Sequence, residues 1–222
     1  MMTFDAIKGV GAALLLAVLA TGCATPKAYD YSAFKQSRPK SILVLPPLNR
    51  SPDVKATYSM LSQMTHPLAE SGYYVVPVAL ANEAFRENGL NNADEVHGVS
   101  AKKLREIFGA DAALYVTIQE YGTSFKLISS EVTVAAQGKL VDLKTGQVLW
   151  SGSARSSSTE NNSSNSGDGL TSILISALIN QVANTLSDNA HKYAGITSER
   201  LLSAGSNGQI LYGPRSPKYG TD

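Results

Sequence analysis

Ser41-Ile42-Leu43-Val44-Leu45-Pro46-Pro47 is the stretch on which the fold turns. A continuous run of branched apolar residues closed by two prolines predicts a short strand buried on both faces. Beyond the loop 48–53, Met60, Leu61, Met64 and Leu68 recur at helical spacing, which predicts a helix over 54–71 stopped by Gly72. Pro67 is costly inside a helix, so a kink or an end is expected near Met64. Tyr73-Tyr74-Val75-Val76-Pro77-Val78 then reads as a second strand. Strand, helix and strand with short connections open a βαβ-like unit.

Working outward, residues 80–88 with Ala84 and Phe85 predict a short helix, and the polar stretch 89–98 a loop. Ser100 caps a helix running to Phe108, with Leu104, Ile107 and Phe108 inward and Gly109 as its stop. Ala112 to Gln119 is a third strand. From Glu131 to Leu143 the pattern alternates, placing Val132, Val134, Ala136 and Leu140 on one face and Gln137 and Lys139 on the other. Asp142-Leu143-Lys144-Thr145-Gly146 is a hairpin signal: Asp142 and Thr145 bond turn amides, and Gly146 accepts a left-handed backbone. Gln147 to Arg155 is the returning strand. A Ser/Asn-rich segment, about 156–169, lacks the apolar area to offset its ordering and is expected to be a mobile loop. Leu170 to Tyr193 carries a wide apolar face and predicts a helix packed on the sheet. The expectation is an α/β class: one three-layer-like domain over 40–205, a mixed sheet flanked by helices, and an irregular tail over 206–222.

Composition narrows the function. Nineteen basic and eighteen acidic side chains in 222 residues leave a net charge of +1, with no excess to neutralise phosphates, so no nucleic-acid partner is expected. The sequence holds no basic run to attract a membrane. A single cysteine excludes an internal disulfide and a cysteine-rich zinc site.

That cysteine has a context. Gly9 to Ala20 is an uncharged apolar run behind Lys8, too short for a membrane span of about 20 residues and suited to the core of a secretory signal over 1–22. Directly after it, Leu19-Ala20-Thr21-Gly22-Cys23 resembles the bacterial lipobox, whose cysteine receives diacylglycerol before cleavage. Alanine stands at Ala20 where the pattern prefers leucine. The resemblance implies lipid on Cys23 as the membrane anchor, and lipid chains hold a protein through each buried methylene. In the enterobacterial sorting pattern an aspartate after the cysteine retains a protein at the inner membrane. Ala24 occupies that place and implies the outer membrane, with the periplasmic face expected. Residues 23–39, with Pro26, Pro39, Tyr29 and Tyr31, read as a lipidated tether; a leading strand around the tyrosines is the alternative.

Reaction chemistry leaves little trace. His66, His97 and His191 form no close pair, and no serine sits in a strained nucleophile motif. Gly167-Asp168-Gly169 lacks the Lys-Ser/Thr of a phosphate loop. No catalytic residue, metal site or cofactor is expected.

Taken together, the lipobox at Cys23, Pro39-Lys40-Ser41-Ile42-Leu43-Val44-Leu45-Pro46-Pro47, the Asp142 to Trp150 hairpin and the Tyr212-Gly213-Pro214-Arg215-Ser216-Pro217-Lys218-Tyr219 tail resemble a family of bacterial lipoproteins that includes a meningococcal vaccine antigen. The resemblance implies a domain similar to the TolB amino-terminal domain. It also implies kinship with the CsgG curli-secretion lipoprotein and with lipoprotein activators of penicillin-binding proteins. An accessory or scaffold role in envelope assembly or export follows from it, alongside CsgG-like lipoproteins and with self-association as a further expectation. Activation of a peptidoglycan synthase is the alternative, and an envelope hydrolase a third. Tyr212, Pro214 and Tyr219 are the candidate partner contacts, since aromatics and prolines in an irregular segment dock on other surfaces. Packing of that tail on its own domain is the competing expectation.

Overall fold

The computed structural model describes residues 29–125, 130–160, 186–205 and 208–221. The expected signal segment 1–22, Cys23, most of the expected Ser/Asn-rich loop and the start of the helix expected over 170–193 lie outside these. The elements in order are α1 Ser32–Ser37, β1 Ser41–Val44, β2 Leu48–Asn49, α2 Ala56–Glu70, β3 Tyr74–Val75, α3 Val78–Glu87, α4 Ala93–His97, α5 Ala101–Phe108, β4 Ala112–Phe125, β5 Ser130–Asp142, β6 Val148–Ser157 and α6 Leu186–Leu202. Six strands among the described residues form one mixed sheet in the order β3-β1-β4-β5-β6, with β2 beside β4. β1 runs parallel to both β3 and β4, as the βαβ reading requires, whereas β4, β5 and β6 are antiparallel.

Alternation along the strands builds two unequal cores. One face gathers Ile42 and Val44, then Leu114, Val116 and Ile118, then Val134, Ala136 and Leu140, and finally Trp150, beneath α2 and α6. The other carries Leu43, Leu45 and Ala113 against Ala81, Phe85, Val96 and Leu104 from α3, α4 and α5. β1 supplies both faces, so its sequence is apolar without interruption. A bulge between Ile118 and Glu120 resets the phase of β4, and Tyr121 therefore returns to the first core three residues after Ile118. Trp150 lies flat over its own sheet because Gly138 and Gly152 are paired beside it. A Cβ on Gly152 would come within 2.3 Å of the indole, and the indole Nε1 donates to the Gly208 carbonyl at 2.7 Å.

The hairpin forms as its residues demand. Asp142 Oδ1 accepts from the backbone N–H of Lys144 and Thr145 at 2.8 and 2.7 Å, and Gly146 adopts φ +76. Burial pushes the Asp142 carboxyl up, but the hydrogen bonds from Ser37, Thr145 and Lys144 outweigh it and hold the pKa below the ordinary carboxylate value.

Several elements differ from the expectation. α2 continues through Pro67, which is buried against the core only one turn from the helix end. A proline there forfeits a single N–H. The second strand is only Tyr74–Val75, because the chain enters α3 at Val78. Stretch 89–98 contains α4, whose N-terminus is capped by Asn92 Oδ1 accepting from Glu95 N at 2.9 Å. Ile107 is exposed, and the inner face of α5 rests on Leu104 and on Phe108, which packs against Phe85. Ser156 and Ser157 belong to β6 and are buried, so the loop begins later than expected. Ser156 Oγ donates to the Tyr193 carbonyl at 2.9 Å and shares a 2.7 Å hydrogen bond with Thr197. α6 runs past Tyr193 to Leu202, and buried Thr197 and Ser198 sit inside it. The stretch 29–39 is folded rather than a free tether: Tyr29 OH accepts from Ser151 N at 2.8 Å, and α1 packs Phe34 into the first core.

Candidate functional site

Among the described residues, helices cover the second face of the sheet only over β1 and the start of β4. Further along, Tyr115, Lys139 and Ser151 stand in one cross-strand row and Thr117, Gln137 and Ser153 in the next. With Leu48 and His97 they line an open cavity of about 580 Å³. α4 brings His97 to its rim. There Nε2 donates to the Pro46 carbonyl at 3.0 Å, and the ring meets Tyr115 edge-on, 5.1 Å between centroids. A carbonyl only accepts, so Nε2 carries the proton and Nδ1 is left as an acceptor. Burial pushes the His97 pKa below its ordinary value, outweighing the opposite influence of the Pro46 hydrogen bond. Lys139 Nζ lies 5.1 Å from the Tyr115 ring centroid. Burial raises the Tyr115 pKa. The arrangement offers hydroxyls, one amide, one ammonium and a neutral imidazole to a polar surface.

The other histidines are engaged elsewhere. His191 is within α6, not at its end, and is held between Ser59 Oγ at 2.8 Å and Gln63 Nε2 at 2.7 Å. His66 Nδ1 meets Glu199 Oε1 at 3.0 Å on the surface. Among the described residues no group of three His, Cys, Asp or Glu is placed to hold a metal ion.

The tail is built onto the domain. Gly213 N donates to the Ser71 carbonyl at 2.8 Å and Arg215 N to the Gly72 carbonyl at 3.0 Å. Gly72 has φ +97, and a Cβ on it would lie 2.4 Å from Ser216 N. Only a glycine lets the tail lie this close. Tyr212 and Tyr219 line a second cavity of about 430 Å³ with Phe34, Lys35, Arg38 and Tyr73. Pro214 is exposed and does not line it. The structure thus brings together two of the three tail residues singled out from sequence.

Lys139 and Gln137 were legible as the polar side of an alternating strand. That His97 and Tyr115 join them was not, because the juxtaposition depends on strand register and on α4. Lys35 and Arg38 carried no sequence signal; they reach the tail through the turn after α1, where Arg38 takes a left-handed φ of 47.

Residues 29–215 match the family described as "Putative lipoprotein GNA1162-like". The chain belongs to this family. A relative from Neisseria meningitidis serogroup B, "Putative lipoprotein NMB1124/NMB1162", is 48% identical over 204 residues, covering 90% of this chain and 94% of its own. The crystal structure of lipoprotein GNA1162 from Neisseria meningitidis, 50% identical, superposes with a TM-score of 0.51 over 66% of this chain and 100% of that one. It shares the mixed α/β architecture. A more distant likeness, 16% identical with a TM-score of 0.41, is the PelC dodecamer from Paraburkholderia phytofirmans, over 79% of this chain and 90% of that one. Within the GNA1162-like family the chain is therefore a lipoprotein by kinship, and among its described residues no helix is long and apolar enough to cross a membrane.

Proposed function

We propose that this GNA1162-like chain is an outer-membrane lipoprotein, cleaved after residue 22, lipidated on Cys23 and facing the periplasm. It acts there as a non-enzymatic accessory or scaffold factor in envelope assembly or export, with a CsgG-like lipoprotein as its partner. The observation that carries the reading is the placement of a lipobox cysteine immediately ahead of a domain that matches a lipoprotein family from residue 29 onward.

Cross-linking in cells followed by identification of the captured proteins tests the role. Recovery of a CsgG-like lipoprotein is expected. Recovery of a peptidoglycan synthase in its place would overturn the partner assignment and favour the activator reading. Replacing Cys23 with serine is expected to leave an unprocessed chain and to abolish lipid incorporation.

A further inference from the structure

The sequence contains no basic run, yet the fold assembles a basic surface from separate segments. Lys35 and Arg38, at the end of α1, line the tail cavity beside Tyr73, Tyr212 and Tyr219. Lys218 Nζ lies 5.4 Å from the Tyr212 ring centroid, and the Arg215 guanidinium 5.4 Å from that of Tyr74. Among the described residues Arg38, Arg215 and Lys218 form no ion pair; the Arg–carboxylate pairs lie at Arg50, Arg86, Arg105, Arg155 and Arg200. Tyr219 is exposed beside them.

The short length of chain between Cys23 and this surface gives it a partner. The chain is pinned from Tyr29 onward: its ring lies 4.7 Å from that of Tyr31, which in turn meets Phe34 at 6.5 Å, and Phe34 lines the cavity. Between Cys23 and Tyr29 the backbone can reach no more than about 20 Å. α1, about 9 Å long, is all that separates the entry of the tether from Arg38. A lipid on Cys23 therefore keeps this side of the domain within reach of the bilayer, where anionic headgroups attract each basic side chain and favour amphipathic tyrosine at the interface.

We propose that the basic, tyrosine-rich face formed by Lys35, Arg38, Arg215, Lys218, Tyr212 and Tyr219 lies on the membrane that anchors Cys23 and binds the anionic headgroups of its lipids. The inference rests on the lipidation of Cys23. It assigns the tail to a lipid surface, leaving the rest of the domain to face protein partners.

The test uses the mature protein purified from membranes, its Cys23 lipid first verified by mass. It is placed in phosphatidylcholine vesicles with and without phosphatidylglycerol, and amide hydrogen exchange is followed over residues 31–40 and 208–221. Exchange there should slow by about fivefold or more with phosphatidylglycerol, with recovery in high salt. R215E/K218E, and independently K35E/R38Q from the other side of the cavity, should abolish the effect while β4 amides keep their protection. Equal exchange in both vesicle types, or slowing that survives both variants, overturns the proposal. So does a photo-cross-linker at residue 219 that captures a protein rather than lipid in cells. A protein without lipid on Cys23 removes the anchoring reading as well, whereas a lipidated protein with unchanged exchange removes this inference alone.

Discussion

The two faces of the sheet are made from the same strands but finished differently. Beneath α2 and α6 the apolar positions run without a break from Ile42 on β1 to Trp150 on β6. On the opposite face full apolar burial on β4 ends at Ala113; Tyr115 is only partly buried against that core, and beyond it stand Thr117, Gln137, Lys139, Ser151 and Ser153. Strands that must bury both faces read as continuous apolar runs, as β1 does, and strands that bury one face alternate, as β5 does between Ala136 and Leu140. The comparison teaches that the larger core lies on the first face, while among the described residues the second is half apolar core and half open to polar contact.

Substitutions along the two faces should separate these roles. The largest effect is expected for Trp150→Ala, which empties a fully buried site and orphans the Gly208 carbonyl; about 3–5 kcal/mol should be lost in urea unfolding. Leu104→Ala, the anchor of α5 on the second face, should cost about 2–4 kcal/mol. A loss equal to that of Trp150→Ala would mean the two cores are energetically alike. Asp142→Ala should cost about 1–3 kcal/mol, since two turn amides and the Ser37 hydroxyl lose their acceptor.

Titration sharpens the boundary between the covered and open parts of the second face. His97 has a folded pKa below its unfolded value near 6.5, so the unfolded chain binds its proton more readily. The contribution of this residue is present in full above that value and is lost as pH falls from about 6.5 toward the folded pKa. Urea midpoints of wild type and His97→Gln should therefore converge on acidification through this window. A gap that stays constant would show that His97 does not titrate as buried. The smallest effect is expected for Gln137→Ala on the open face, within about 0.5 kcal/mol.

Much of this architecture was legible in residue patterns. Alternation in 131–143 named the buried side of β5 correctly, and Asp142 to Gly146 specified the turn atom by atom, because both signals are local. What escaped detection depended on distant segments. Pro67 is tolerated because burial of its helix outweighs one missing hydrogen bond. α4 is short and held by its Asn92 cap, with Val96 as its one buried residue. The packing of Tyr29 on Ser151, the meeting of His97 with Lys139, and the gathering of Lys35, Arg38 and Lys218 join residues far apart in the chain. The net charge of +1 likewise gave no sign that Lys35, Arg38, Arg215 and Lys218 gather around the tail cavity.

Anchoring through Cys23 underlies both the proposed role and the proposed orientation of the domain. Its most direct test is the intact mass of the protein extracted from cell envelopes, together with that of its amino-terminal peptide. The expected result is a chain that begins at Cys23 and carries acyl and diacylglycerol mass on that residue. A chain that retains residues 1–22, or one with a free Cys23 thiol, would contradict the account.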